Sequence, residues 1–226
     1  MSMTSYPVWD LPTRLFHWLL TAGVALQWAS AEWNLVSMDW HFRLGYALLA
    51  LVLFRIAWGF VGSESARFSR FVHGPATVAR YLPGLFARSH DAQVGHNPLG
   101  GWAVLALLGV LLAQSVSGLF ATDDIALYGP LAERVSSSTA SALTTLHRQL
   151  TEVLVVLIAV HLVGVAWHAL YKREPLVPAM ITGRKPLPVD PALRFAGIGR
   201  AAVVLAVCAG VVWGVVAWGA GRVPGA

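Results

Sequence analysis

Charge is what this sequence has least of. Only 12% of its 226 residues are charged, where a soluble domain carries about a quarter, and a water-facing shell around a compact core is excluded. Cysteine is nearly absent as well. Cys208 stands alone, which excludes an intrachain disulfide and leaves it as a small apolar residue facing lipid or a neighbour. The net charge of +5 would suggest a nucleic-acid partner in a soluble protein. Here Lys and Arg gather in particular loops, and no nucleic-acid surface is read from them.

In place of charge the chain has long apolar runs. Five of them, Arg14–Trp33, Trp40–Val61, Leu99–Ala121, Leu143–Tyr171 and Ile198–Trp218, reach the ~20 residues that a bilayer span needs. They are continuous rather than alternating, so they are helices. The segment 63–98 holds Arg67, Arg70, Arg80 and Arg88; the segment 172–200 holds Lys172, Arg173, Arg184, Lys185, Arg194 and Arg200. The loop 34–39 has no basic residue, and 122–142 has only Arg134. The positive-inside rule then places the N-terminus and both basic segments in the cytoplasm, with the C-terminus on the other side.

The first thirteen residues read as a short polar lead with Pro7 and Pro12. Helices one and two are tightly joined antiparallel neighbours. Ala76–Phe86 reads as a short amphipathic surface helix broken at Pro83. The outer loop 122–142, with Asp123-Asp124, Gly129-Pro130 and Ser136-Ser137-Ser138, reads as solvated. The Pro- and charge-rich stretch after Tyr171 reads as a linker to helix five. Arg14, the apolar run behind it and Ala29-Ser30-Ala31 loosely mimic a signal peptide. The run is long and contains His17, Trp18, Gln27 and Trp28, and is taken as an uncleaved first helix. No internal repeat is found.

The histidines are not scattered. His17, His41, His147 and His161 sit in or at the mouths of predicted spans, where ligand-type side chains are costly and usually functional. With helix one starting inside and helices two and four starting outside, His17 lies near the cytoplasmic side and His41 near the outer side. His147 lies near the outer end of helix four. His161 is 14 residues further on, about 21 Å deeper and back on nearly the same face. The four thus sort by depth into two cross-helix pairs, His41 with His147 and His17 with His161. Two neutral imidazoles at one level on different helices are what a six-coordinate haem requires. A zinc or copper site of histidines alone would need three or four ligands at one level. No Cys-x-x-Cys-His is present, so the haem would be non-covalent b-type. Structural, hydrogen-bonded histidines are the plainer alternative.

These residues stand within recognisable stretches: Trp9-Asp10-Leu11-Pro12-Thr13-Arg14-Leu15-Phe16-His17-Trp18, Trp40-His41-Phe42-Arg43-Leu44-Gly45-Tyr46, Gly95-His96-Asn97-Pro98-Leu99-Gly100-Gly101-Trp102, the His147/His161 spacing and the exit Lys172-Arg173-Glu174. Over about residues 6–185 the chain resembles the bacterial cytochrome b561 group, related to the cytochrome b subunits of nickel–iron hydrogenases. The resemblance implies an all-α integral membrane protein of the bacterial inner membrane, a four-helix bundle holding two haem b groups in the pairing above. The expected division is a dihaem domain at 1–185, then a linker and fifth transmembrane helix at 186–226, a departure from the shortest members. The expected function is electron transfer between the quinone pool and a partner, a periplasmic c-type cytochrome. The alternatives are a membrane anchor of a hydrogenase or other oxidoreductase, a superoxide:quinone oxidoreductase, and a non-redox membrane protein. Arg134 alone on the outer loop gives weak support for drawing in an anion.

Supporting roles fall to other residues. His168, seven residues past His161, lies about 10.5 Å nearer the cytoplasm. The resemblance implies a place near quinone, and an interfacial histidine is the alternative. Arg55 is 14 residues after His41, at the level of the inner haem, where a propionate would suit a guanidinium; snorkelling to the surface is the alternative. Arg43 and Arg148 have similar claims as haem-binding cations. Glu152 is a candidate proton carrier or a hydrogen-bonding group. His73, His90 and His96 are not paired by spacing and receive no role, although His96, in its Gly-His-Asn-Pro turn, would border a quinone pocket.

Overall fold

The computed structural model describes residues 3–33, 35–87 and 94–221. Arg88 and His90 lie outside the described residues. In chain order the elements are strand β1 (Thr4–Pro7), helices α1 (Leu11–Trp33), α2 (Met38–Val61), α3 (Phe68–Phe71), α4 (Pro75–Tyr81), α5 (Pro98–Gly118), α6 (Ser137–Leu170) and α7 (Leu176–Thr182), strand β2 (Arg184–Leu187) and helix α8 (Ile198–Ala220).

Four of the helices, α2, α5, α6 and α8, are long and apolar enough to cross a bilayer. Their backbone groups are satisfied within each helix, as lipid demands. The first expected span is a helix of 23 residues, long enough at about 34 Å. Arg14, His17, Gln27 and Glu32 keep it less apolar than the other four. The surface helix expected at 76–86 is α4 followed by a 3-10 turn, Leu82–Phe86, the change coming just before Pro83.

Three expectations are corrected. Helix α6 starts at Ser137 rather than Leu143. The serine run looks like loop, but the Ser136 hydroxyl accepts the Thr139 N–H at 3.2 Å and acts as a cap. The all-α class holds, but the N-terminal lead is not unpaired: β1 and β2 pair antiparallel from Thr4↔Leu187 to Pro7↔Arg184. Two Pro-containing tetrapeptides at opposite ends of a sequence carry no pairing signal, and proline is tolerated here because each strand is an edge. The stretch after Tyr171 is therefore not a plain linker: it holds α7 and β2, and the expected boundary at 185 falls within that strand.

The chain packs as two units. The first comprises Met1–His17, Arg55–Leu107 and Leu157–Ala202. Its organising residue is Asp10, only 6% exposed. One carboxylate oxygen accepts the Thr13 N–H at 2.8 Å and caps α1. The other accepts the indole N–H of fully buried Trp58 at 2.9 Å. Gly183 ends α7 with φ 81°, and its carbonyl receives the N–H groups of Val8 and Trp9 at 2.8 and 3.1 Å. A side chain there would strike Arg14 and the Trp9 carbonyl. Beyond the end of α6 at Leu170, Arg173, with a φ of 56°, turns the chain so that the Glu174 N–H bonds the His168 carbonyl at 2.9 Å. Glu174 then pairs with Lys185 of β2 at 3.5 Å, both buried.

The second unit comprises Trp18–Phe54, Leu108–Val156 and Val203–Ala226. Its core joins Leu49 and Ala50 of α2, Leu119 and Leu131 beyond α5, and Val212 of α8. In the loop between α5 and α6 the Asp123 carboxylate accepts the N–H groups of Ile125, Ala126 and Leu127. These bonds hold its pKa below the usual carboxylate value. Arg134 donates to the Trp218 carbonyl and, at 3.3 Å, to the Gly219 carbonyl, with its guanidinium 4.0 Å from the Trp218 ring centre. That charge closes the last turn of α8; it is not a solvent-facing lure for an anion.

Asp10→Ala removes the α1 cap and the acceptor for Trp58. It should destabilise the protein by about 2 kcal/mol, seen as a lower melting temperature in detergent. Asp10→Asn keeps the Thr13 acceptor and should lose clearly less.

Candidate functional site

His41 and His147 belong to the second unit and come from different helices, α2 and α6. Their ring centres are 6.5 Å apart with the planes at 78°. A metal-bound imidazole nitrogen lies about 2 Å from its ion. Two imidazoles on opposite sides of one iron would therefore have centres about 6 Å apart. The observed spacing fits that requirement without movement of either helix.

The surroundings prepare these rings. His147 Nδ1–H donates to the Gln114 carbonyl at 2.9 Å, which leaves Nε2 as the lone-pair nitrogen and makes it more basic. The Gln114 side chain donates to the Thr151 hydroxyl at 3.0 Å and has its amide nitrogen 3.4 Å from His147 Nε2. Gln27 of α1 donates to the His41 carbonyl at 3.0 Å. A Cβ on Gly118 would lie 2.8 Å from the His147 ring, and glycine there is what lets α5 approach the imidazole.

His17 and His161, from α1 and α6, both belong to the first unit, are half-buried and lie within electrostatic range of each other. Arg55 also belongs to this unit and is buried, at 3% exposure, so it does not snorkel. Its guanidinium carbon sits 5.2 Å from the Phe68 ring centre and 5.8 Å from that of Phe71. His168 is buried and its nitrogens are engaged. Nδ1–H donates to the Gly164 carbonyl at 2.9 Å, while Nε2 accepts from the Asn97 amide at 3.1 Å and lies 3.3 Å from the Tyr81 hydroxyl. The Asn97 orientation follows from its oxygen, which accepts the Gly100 N–H at 2.6 Å. Lys172, also buried, donates to the Gly84 carbonyl at 3.1 Å.

Arg43, Arg148 and Glu152 are exposed, and the Arg43 guanidinium lies 5.6 Å from the Trp40 ring centre. Sequence reasoning missed Gln114, although it is the longest polar side chain of an uncharged helix. It placed His96 only at the border of a quinone pocket; its ring packs at 4.9 Å from Trp9 and 4.6 Å from Phe71. His73 has a local role: its Nδ1 bonds the Phe71 carbonyl at 2.9 Å, and its own carbonyl accepts the Trp102 indole N–H at 2.8 Å.

Long apolar helices that bring histidines together from different segments define a class, the helical membrane cytochrome. Within that class the assignment is direct. The family model for prokaryotic cytochrome b561 matches residues 8–183, most of the chain, and the chain belongs to that family. No curated protein and no solved structure matches it. Membership makes it a multi-pass membrane protein of haem b electron transfer.

Gly118→Ala should push the His147 ring aside and lower the haem-to-protein ratio, or convert part of the haem to high spin in the visible spectrum. Gly109→Ala, where an added methyl group meets nothing within 4 Å, should leave both unchanged.

Proposed function

We propose that the chain carries two haem b groups, one between His41 and His147 and one between His17 and His161. In this reading it moves electrons across the bacterial inner membrane, between the quinone pool and a periplasmic c-type cytochrome. The observation that carries the reading is the 6.5 Å spacing of His41 and His147, with the Nδ1 bond of His147 that leaves its Nε2 for a metal. When bound, each haem supplies a reversible one-electron carrier. The protein's part is to hold neutral imidazoles from two helices at one level and to exclude water from them.

The two-by-two assignment draws on the absence, among the described residues, of any cluster of three His, Cys, Asp or Glu placed to hold a metal ion. The quinone end is assigned to the neighbourhood of His168, where half-buried Tyr81 and Asn97 meet its ring and buried Lys172 lies by Tyr81. The bundle and its haems fall to residues 1–185, with 186–226 adding a linker and a further helix. The basic segments place the N-terminus in the cytoplasm, so His17 and His161 form the inner pair.

A pyridine haemochrome assay should give two non-covalent haems per chain; one haem or none refutes the proposal. His41→Ala and His147→Ala should share one phenotype, loss or high-spin conversion of one haem. His17→Ala and His161→Ala should share the other. His168→Ala should leave both haems low-spin and slow electron exchange with quinone. If His168→Ala abolished a haem while His161→Ala did not, the ligand on α6 would be His168.

Orientation is tested separately. A reporter fused after residue 130 should be found outside the cytoplasm and one fused after residue 185 inside. The reverse pattern would exchange the inner and outer assignments.

A further inference from the structure

Two buried side-chain nitrogens of the first unit point to a ligand. Arg55 Nη1 and His96 Nδ1 are each shielded from solvent and have no hydrogen-bond partner among the described residues. They are near each other in space. Phe71 packs on the His96 ring at 4.6 Å and lies 5.8 Å from the Arg55 guanidinium. His96 also lies within electrostatic range of Arg55, His161 and His17. A guanidinium buried with a donor unfilled is costly, and so is an orphaned polar nitrogen beside it.

The protein's own carboxylates do not fill the need. Asp10 lies in electrostatic range of Arg55 and offsets part of its charge, but its oxygens take their hydrogen bonds from the Thr13 N–H and the Trp58 indole. Glu64, the acid that follows α2, accepts from the Arg70 side chain at 2.9 Å and from the Arg194 N–H at 3.1 Å. The site therefore asks for an anion from outside the polypeptide, with oxygens able to take more than one hydrogen bond.

We propose that Arg55 and His96 form the carboxylate-binding end of the haem site served by His17 and His161, each donating to a haem propionate. This rests on the dihaem reading and extends it to a histidine that the sequence left without a role. Guanidinium and imidazole divide the work. Arg55 supplies the compensating charge. Burial, with the Arg55 charge next, pushes the His96 imidazole down to about 3, so His96 supplies a neutral N–H rather than a second cation. A positive charge beside the propionates favours the reduced haem, which carries one more electron.

The test is a spectroscopic redox titration of the purified protein in detergent, with spin state read by electron paramagnetic resonance. Arg55→Gln should lower the midpoint potential of one haem by about a ten-fold change in its oxidised-to-reduced ratio, about 59 mV for one electron. His96→Phe should lower the same haem by less. Arg55→Lys and His96→Gln, which restore a cation and a donor, should recover most of each loss. All four should keep both haems low-spin. In redox-difference infrared spectra of haem labelled at its carboxylates, Arg55→Gln and His96→Phe should shift the carboxylate bands. Unmoved potentials and bands, or shifts on different haems, would overturn the proposal. So would a high-spin haem in His96→Phe, which would make His96 an axial ligand. A wild-type protein with one haem would instead remove the dihaem reading on which the proposal stands.

Discussion

Inside hydrocarbon there is no water to satisfy a peptide group, and every N–H and C=O must find its partner within the chain. That constraint reduces most of this protein to long helices, and helices space their side chains at fixed angles and a fixed rise. Polar groups on them are exceptions that need a reason. Helix α5 has no charged residue, and the longest polar side chain it has, Gln114, bonds Thr151 and lies against His147, to which the backbone carbonyl of the same residue is also bonded. Gln27 likewise meets the backbone of His41. The polar atoms of the second unit gather around its two histidines.

That logic explains what was legible in advance. The long helices were readable because apolar length is a local property of sequence. The partnership of His41 and His147 was readable because depth follows from residue number once a segment is known to be a helix. The small sheet was not, since β1 and β2 are separated by almost the whole chain and neither alternates clearly. Nor was the start of α6, where Ser136 looks the same as a loop residue until its hydroxyl is seen to cap a helix. His96 was hidden for a related reason. It stands in a turn, where no helical period predicts a neighbour, and only tertiary packing brings Trp9 and Phe71 to its ring.

Helix α8 shows how far a segment can be understood from its packing alone. It carries no acid and its N-terminal end is bonded through Arg200 to the Val61 carbonyl at 3.3 Å. Its C-terminal portion is not an appendage of the second unit. Val212 lies in the same core as Leu49, Ala50, Leu119 and Leu131, with Val215 and Val216 against it. Gly219 leaves room for the Pro130 carbonyl, which a Cβ would strike. The carbonyls at the end of α8 lack partners within their own helix, and Arg134 supplies donors to two of them while covering the Trp218 ring.

The cost of burying charge draws the same distinction throughout the molecule. Lys185 and Glu174 are buried together, so neither is left without an opposite charge. Lys172 is buried with its ammonium group on the Gly84 carbonyl and near the Tyr81 ring. Arg134 is matched to the negative end of a helix. Each of these cations has a local structural explanation, and none calls for a ligand. Arg55 differs because the acid within its range has already given its oxygens to Thr13 and Trp58. A fold that gives Lys185, Lys172 and Arg134 an opposite charge or a carbonyl, yet leaves Arg55 with an unused donor beside an unpartnered imidazole nitrogen among the described residues, has kept a place for an anion it does not itself contain.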